Sequence, residues 1–485
     1  MKILRLTAPI LALLLSLTVN LHAAISRPPN IVLILIDDMG YGDIGPFGST
    51  KNRTPNLDRM AREGIKLMSF YAAPVCSASR AQIMTGSYAP RVSIPGVLPP
   101  ASPIGLNPAE VTLPKLLQAQ GYATICIGKW HLGDQPDFFP TRYGFDHYFG
   151  LPYSNDMLRP AADTGQRLIP LMRDDAVIEL LSADDEDHLT RRYTEEAVKF
   201  IHANRDHPFF LYLPHTAVHV PIHPGPEFRG KSANGRYGDW VEEMDWSTGR
   251  VLDTLRELRL ESNTLVVFTS DNGPWLKHKE DAGSAGPLRG GKGSTWEGGM
   301  RESTLAWWPG KIPAGRVSDA VTGTIDLLPT FVKLAGGTIT TDRPIDGADI
   351  SNLLFGQSGI SAREAQFYFL KYKLQAVRSG PWKLALGPQI FSMGMPEGGV
   401  SKPGLRLYNL DRDIGETTDV AAQNPSIVAK LKALADSMAA TLCDGSDKGP
   451  GVRPPGRVEH PRFLHPVKLP PAAKAKAAAA ADEIP

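Results

Sequence analysis

Four strand-like runs in this chain end in side chains that ionise or bind cations. Asp37 and Asp38 follow Asn30–Ile36, and Lys129 and His131 follow the run around Ile125. His215 and His219 follow Phe209–Leu213, and Asp271 and Asn272 follow Thr264–Phe268. Taken singly these are weak signals, because Asp-Asp after a strand is commonly a turn and a lone His is more often a satisfied rim or core residue. In open α/β sheets, however, ligands bind beyond the carboxyl ends of the strands, so four such groups converge on one edge. Asp37, Asp38, Asp271 and Asn272 are all oxygen donors, a set that suits a hard cation, Ca²⁺ or Mg²⁺, and not zinc. Arg80, Lys129 and Lys292 add fixed positive charge. A cation with several basic side chains around one point is a site for a compact oxyanion, stabilising charge that develops during transfer. Cys76 opens a helical segment through Met84 to Gly86, and a helix N-terminus attracts anions. Its other readings are a thiolate of lowered pKa or a buried thiol.

The elements that must carry these groups alternate, strand-like and helix-like, from about Asn30 to Gly337, as in an α/β domain with a largely parallel sheet. Asn30-Ile-Val-Leu-Ile-Leu-Ile is the continuous apolar run of a strand covered on both faces. Thr54 is placed to cap a short helix, with Pro55 at its first position and Gly64 at its end. A second helical unit runs from Thr112 to Gly121. Tyr193, Ala197, Phe200 and Ile201 form a helical stripe, and Val241, Met244, Val251, Leu252, Leu255 and Leu258 predict a long helix. From about Ala365 the texture changes to short apolar segments at 367–370, 374–377, 382–386 and 405–410. These predict a smaller antiparallel sheet, followed by a helix from Pro425 to about Leu442. The domain expectation is therefore 1–23 an export signal, 27–364 a catalytic α/β domain, 365–445 an α+β subdomain, and 446–485 a Pro/Ala-rich basic tail, disordered or loosely docked.

Composition restricts the function classes. The 485-residue chain carries a formal net charge of +1, which gives no basic excess for nucleic acid and no acidic solvating character. At the N-terminus, Lys2 and Arg5 precede the apolar run Leu6–Val19, and Leu21, His22 and Ala23 supply a small-residue cleavage site. The alternative, a retained membrane anchor, fits less well, because the run holds Thr7, Pro9, Ser16 and Thr18 and is shorter than the ~20 residues of a bilayer span. No stable membrane span is expected elsewhere. Three cysteines in an exported chain leave an odd one. Cys126 lies in the strand-like run Tyr122–Ile127 and reads as a buried apolar filler; pairing of Cys126 with Cys443 stays open.

The motif Cys76-Ser-Ala-Ser-Arg80 with Thr85-Gly86 resembles the signature of type I sulfatases. Four further segments agree with that family in its order. They are Leu35-Ile-Asp-Asp-Met-Gly-Tyr-Gly-Asp, Gly128-Lys-Trp-His-Leu-Gly, Ser270-Asp-Asn-Gly-Pro, and Gly291-Lys-Gly-Ser-Thr-Trp-Glu-Gly-Gly-Met-Arg. Phe149-Gly-Leu-Pro-Tyr-Ser-Asn-Asp and Leu407-Tyr-Asn-Leu-Asp-Arg-Asp look most like the arylsulfatase A branch. The resemblance implies an alkaline-phosphatase-like fold, a large mixed and mostly parallel sheet between helices. It also implies a formylglycine made by oxidation of Cys76. Asp37, Asp38, Asp271 and Asn272, joined by residue 76, would bind Ca²⁺ or Mg²⁺, and Arg80 would hold the formylglycine. Lys129, His131, Ser154, His219 and Lys292 would surround the sulfate and assist proton transfer, with His215 only shaping the pocket. Ala78 stands where the commonest signature has Pro, which resembles the targets of the radical iron–sulfur maturation system.

What the resemblance implies chemically is covalent catalysis through an aldehyde hydrate. One hydroxyl attacks sulfur and displaces the alcohol, and loss of a proton from the second, to His131, expels sulfate. A general acid near the leaving oxygen, His219 or Lys292, is expected for poorly activated alcohols. The partners are then a sulfate ester, such as an aryl sulfate or a sulfated polysaccharide, and a formylglycine-generating enzyme. The location is the periplasm or the exterior if the source is bacterial. Two other readings compete: a phosphate or phosphonate ester hydrolase of the same superfamily, and a non-catalytic binder of sulfated glycans with Cys76 unmodified. Loops 158–182 and 225–238 are expected to set specificity.

Overall fold

The structure, a computed structural model, describes residues 27–468 apart from 340–341, 390–392, 394–402, 444 and 446–447. The expected export signal lies outside the described residues. The elements that build the site are, in chain order, β1 (Asn30–Ile36), α1 (Pro55–Glu63), β2 (Ile65–Tyr71), α2 (Cys76–Thr85), α3 (Leu113–Gln118), β3 (Ala123–Ile127), β4 (His147–Gly150), α4 (Leu189–Ala203), β5 (Phe209–Pro214), α5 (Gly235–Glu257), β6 (Thr264–Ser270), β7 (Arg301–Trp307) and α6 (Leu327–Leu334). The strands lie in one 12-stranded sheet whose centre has the order β2-β7-β6-β1-β5-β3-β4. From β6 to β4 every neighbouring pair is parallel, and β7 runs against β6 and β2.

Every residue of β1 is buried, and its alternation sends successive side chains to opposite layers. Val32, Ile34 and Ile36 join α1, α4 and α5 through Leu57, Met60, Ala197, Ile201, Val241 and Leu252. Ile31, Leu33 and Leu35 join α2, α3 and α6 through Ala81, Met84, Leu113, Leu117 and Phe331. Burial of each such aliphatic side chain contributes about 1.5–3 kcal/mol. Cys126 is an unpaired, buried thiol within the second layer.

A separate four-stranded antiparallel sheet comprises Gln366–Leu370, Lys373–Ser379, Trp382–Ala385 and Arg406–Asn409. The helix α7 (Pro425–Thr441) lays Leu431 and Ala435 on Leu374, Val377, Leu384 and Leu407. A buried charge network seats this sheet against the larger one. Glu297 accepts from the hydroxyls of Tyr71 at 2.6 Å and Tyr368 at 2.8 Å. It also faces Lys383 at 3.0 Å, Arg301 at 3.4 Å and Arg378 at 3.6 Å.

Two expectations change and a third is resolved. Thr54 makes no capping bond to α1; its hydroxyl accepts from Gly45 N instead. The free amides of Asn56 and Leu57 donate to Asp245 of α5, at 3.2 and 2.8 Å, so a tertiary neighbour supplies the acceptor that a local cap would have supplied. The stretch 158–182 is no loop: Arg167–Arg173 and Ala176–Leu181 form an antiparallel hairpin on the sheet's edge. Finally, of the two readings of the tail, the docked one holds as far as Lys468. Gly456–Arg457 pairs with Ile104–Gly105, and Val458 N and Lys468 N donate to Pro103 and Pro160 carbonyls. Arg453 meets the buried carboxylate of Glu110 at 2.8 Å. Proline-rich composition predicts disorder only for a chain that finds no partners, and this extended segment finds backbone acceptors and one buried anion.

Candidate active site

The parallel register determines the floor of the site. Ile36 of β1 stands beside Ser270 of β6, so Asp37 and Asp271 leave the sheet side by side, with Asp38 and Asn272 one residue on. The ladder continues past the strand ends: Asp271 N donates to Ile36 O at 3.0 Å and His215 N to Leu35 O at 2.8 Å. Asp37 N bonds Ala217 O at 2.8 Å, and Lys129 N bonds Pro214 O at 2.7 Å. The Lys129 turn requires Gly128, whose φ is 128° and whose Cβ, if present, would enter the Pro214 carbonyl. Asp38 and His131 hold left-handed backbone angles, φ 62° and 61°. Such angles are costly for residues with a Cβ and recur at sites that need one side-chain direction.

All the polar residues singled out in the sequence, except His215, meet in one buried cluster. Arg80 reaches in from α2 with Nη2 2.8 Å and Nε 3.1 Å from Asp271 Oδ2, and Nη1 donates to the Lys129 carbonyl. Lys129 Nζ pairs with Asp37 Oδ2 and lies 3.0 Å from Ser154 Oγ. Lys292 Nζ pairs with Asp38 Oδ1 at 2.8 Å. Asp38 Oδ1 also accepts from Asn272 Nδ2 at 2.7 Å. Cys76, 2% exposed at the start of α2, has Sγ 3.3 Å from His131 Nδ1. His219 Nε2 stands 3.6 Å from Asp38 Oδ2. His215 points elsewhere, with Nε2 3.2 Å from Ser247 Oγ of α5.

The hydrogen bonds set the histidine tautomers. His131 Nε2 donates to Leu98 O at 2.9 Å, which leaves Nδ1 as a lone pair facing residue 76. His219 Nδ1 donates to Val220 O at 2.6 Å, which leaves Nε2 facing the pocket. Burial, reinforced by Lys129 and Arg80, holds His131 well below the usual imidazole range. Burial and then Lys292 push His219 down to about 3. Among the acids, burial pushes Asp37 up, but Lys129, His219, Arg80 and Lys292 overcome it and keep it an anion. Burial and the nearby Asp37 raise Asp271 to about 7 despite Arg80. Burial also raises the Cys76 thiol, with Lys129 and Lys292 opposing.

Two oxygens in this cluster, Asp37 Oδ1 and Asn272 Oδ1, are buried with no hydrogen-bond partner. Unsatisfied buried acceptors are rare because each costs its full desolvation, and a hard cation is the ligand that carboxylate and amide oxygens together would satisfy. Ligand atoms of Asp37, Asp38 and His219 also lie within 4.8 Å of one another. The donor set therefore fits Ca²⁺ or Mg²⁺.

The sulfatase profile matches residues 29–337, the stretch that supplies every residue of this cluster. The chain belongs to the sulfatase family. N-acetylgalactosamine-6-sulfatase of Sus scrofa is 41% identical over 385 residues, covering 74% of this chain and 71% of that protein. Arylsulfatase A of Homo sapiens is 36% identical over 470 residues, covering 87% and 90%. Among solved structures, the PsFucS1 sulfatase of Pseudoalteromonas sp. superposes with a TM-score of 0.80 at 28% identity, over 89% of this chain and 94% of that one. A phosphonate monoester hydrolase of Agrobacterium radiobacter, at TM-score 0.60 and 18% identity, shares the fold. This type I sulfatase is a sulfuric ester hydrolase on the alkaline-phosphatase-like scaffold. Among its described residues no helix is long and apolar enough to cross a membrane.

Sequence reasoning missed residues at the rim of the sulfatase pocket. Trp275 carries Lys292 Nζ 4.5 Å over its ring, and His219 and His278 pack against it at centroid distances of 5.5 and 4.5 Å. The signal was available, since an aromatic three residues after Asn272 has nowhere to go but the strand-end edge.

Proposed function

We propose that this sulfatase is exported and hydrolyses sulfate monoesters of sugars, using a formylglycine made from Cys76 and one Ca²⁺ or Mg²⁺. The observation that carries this reading is the pair of unpartnered oxygens, Asp37 Oδ1 and Asn272 Oδ1, beside a buried Cys76 flanked by cations. Asp37, Asp38, Asp271 and Asn272, with residue 76, would hold the cation. When bound it would polarise the sulfate and favour the ionised nucleophile. Arg80 orients residue 76 and neutralises Asp271. Lys129, Ser154 and Lys292 bind the sulfate oxygens. His131 Nδ1, a lone pair 3.3 Å from the side chain at position 76, accepts the proton whose loss expels sulfate. His219 Nε2 gives a proton to the leaving oxygen: burial and then Lys292 keep the ring neutral, and an anion between Lys129 and Lys292 offsets the second of these and so favours protonation.

A sugar as the leaving alcohol is supported by the likeness to N-acetylgalactosamine-6-sulfatase; a cleft of about 840 Å³, lined by none of the residues of the sulfate cluster, lies beyond β1 and the start of α5. Its lining includes Lys51, Asn52, Asn234, Arg236, Asp281 and Ser284, with Phe47 as the single aromatic side chain. Such a wall offers hydrogen bonds to a polyol and little apolar surface to a steroid or an aryl ring. Lys279–Ser284, within the loop that joins Trp275 to Lys292, line this cleft. The partners under this reading are a sulfated carbohydrate and a formylglycine-generating maturation enzyme, with no role for nucleic acid. The apolar run Leu6–Val19 behind Lys2 and Arg5 supports export, to the periplasm or beyond.

The test is mass spectrometry of the tryptic peptide Leu67–Arg80 from protein made in its native host. Formylglycine at position 76 in active enzyme is the expected result. An unmodified thiol in fully active enzyme would overturn the nucleophile.

A further inference from the structure

Behind the His219 loop lies a buried polar cluster with no part in the proton transfers above. Glu186 is 2% exposed, and both its carboxyl oxygens are without a hydrogen-bond partner. Asn155 Oδ1 and His223 Nε2 are likewise buried and unpartnered. These groups connect directly to the sulfate pocket. Asn155, adjacent to Ser154, donates Nδ2 to the carbonyls of His219 and Pro221, each at 3.3 Å. His223 follows on the same loop, with Nδ1 3.0 Å from Asp187 Oδ1 and Nε2 3.9 Å from Glu186 Oε2. Arg229 closes the far side by pairing with Asp187.

The protonation pattern follows from the surroundings. Burial pushes Glu186 up to about 8; Asn155 opposes this, while Asp156 and Asp185 add to it. Burial, then Arg236, push His223 down to about 4, against Asp184. A neutral carboxylic acid thus faces the lone pair of a neutral imidazole, with the Asp187 carboxylate holding the other ring nitrogen. One O–H is available among several acceptors. From 3.9 Å, a small rotation of the Glu186 carboxyl would bring it within hydrogen-bond reach of His223 Nε2.

We propose that Glu186 is a positioning residue for sulfate-ester hydrolysis, acting as a hydrogen-bond donor behind Asn155 and His223 so that the 219–223 loop holds His219 and Ser154 over the sulfate. This rests on the reading of His219 as proton donor to the leaving group. The role is specific to the donor: glutamine preserves it through its amide N–H, and methionine, of similar volume, removes it.

The test compares Glu186→Gln, Glu186→Met and His219→Ala on two esters, glucose 6-sulfate with its poor leaving group and 4-nitrophenyl sulfate with its good one. Glu186→Met should lower kcat on glucose 6-sulfate by roughly tenfold or more while changing kcat on 4-nitrophenyl sulfate by less than about threefold, since only the first needs a well-placed acid. KM should change little on either, and Glu186→Gln should stay within about threefold of the parent enzyme on both. Equal losses on the two esters for Glu186→Met, or a Gln variant as impaired as the Met variant, would overturn the proposal. Failure of the underlying reading has its own signature: His219→Ala would then lose equally on both esters, which removes the proton-donor role and the positioning role with it. Melting temperatures separate these outcomes from misfolding, because a purely structural Glu186 would shift stability without changing the ratio of the two rates.

Discussion

Replacing Glu297 with glutamine takes one charge and almost no volume from the junction between the two sheets. Burial alone would raise the Glu297 carboxyl, but Lys383, Arg378 and Arg301, with a bond from Tyr71, bring it down to about 2 from an ordinary 4.5. Holding the carboxylate that far down corresponds to about 3–3.5 kcal/mol of stabilisation, at about 1.4 kcal/mol per tenfold change in its ionisation constant. The side chain is fully buried, so no solvent discount applies. Removing one member of a buried ion cluster costs about 3–5 kcal/mol by a separate route, because the cations left behind stay desolvated. The low end applies here: Glu416, 2.8 Å from Lys383 and raised to about 7 by burial, with Lys383 opposing and Glu297 reinforcing, ionises more readily once Glu297 is neutral. The contribution of a depressed acid is complete above its unfolded value and is lost as pH falls through the folded one. The gap between parent and variant should therefore be about 3 kcal/mol near pH 5, narrow toward pH 7 as Glu416 ionises more readily in the variant, and shrink below about pH 4.5. Urea unfolding followed by tryptophan fluorescence measures it, with reversibility checked at each pH. A gap under about 1 kcal/mol at pH 5, or one that widens below pH 4.5, would refute the reasoning.

Other perturbations give equally definite results. Gly128→Ala must push the Lys129 turn off the Pro214 carbonyl; a displacement of ~1 Å should cost about 10²-fold in kcat, and an unchanged rate would show that the turn relaxes elsewhere. Burial pushes Glu243 up to about 8, although it accepts a bond from Gly225 N. The folded protein keeps a proton the unfolded chain has released, so stability falls as pH rises from about 4.5 to 8. Glu243→Gln should lack that decline, which melting temperatures across the range would reveal. Ending the chain before Lys448 removes Arg453 from Glu110 and the strand from Ile104–Gly105; a clear drop in melting temperature is expected, and none would mean the docked segment is dispensable. Chelation should abolish activity and lower the melting temperature, and Ca²⁺ or Mg²⁺ should restore both. Insensitivity of the melting temperature would count against a cation satisfying Asp37 Oδ1 and Asn272 Oδ1.

Much of the fold was legible because its signals are local and repeated. The apolar run Asn30–Ile36 could only be a strand covered on both faces, and the stripe from Val241 to Leu255 could only be a buried helix face. The chemistry was legible because strand ends in a parallel sheet share one edge, so position in sequence implied position in space. The misses came from tertiary partners. Asp245 caps α1 from 189 residues along the chain, which no local pattern at Thr54 could reveal. The edge hairpin within 158–182 forms because an existing sheet offers a template, and 448–468 is ordered because Glu110, Pro103 and Pro160 offer partners.

By itself the sequence singled out residues that meet in one buried cluster: Asp37, Asp38, Cys76, Arg80, Lys129, His131, Asp271, Asn272 and Lys292 are named by residue type and motif alone. Tertiary structure decided their states. It left Asp37 Oδ1 and Asn272 Oδ1 without partners, gave His131 and His219 opposite tautomers through Leu98 O and Val220 O, and buried Glu186 beside Asn155 and His223. Protonation and unsatisfied valence depend on what surrounds an atom in three dimensions, and in this protein those surroundings come from segments that lie far apart along the chain.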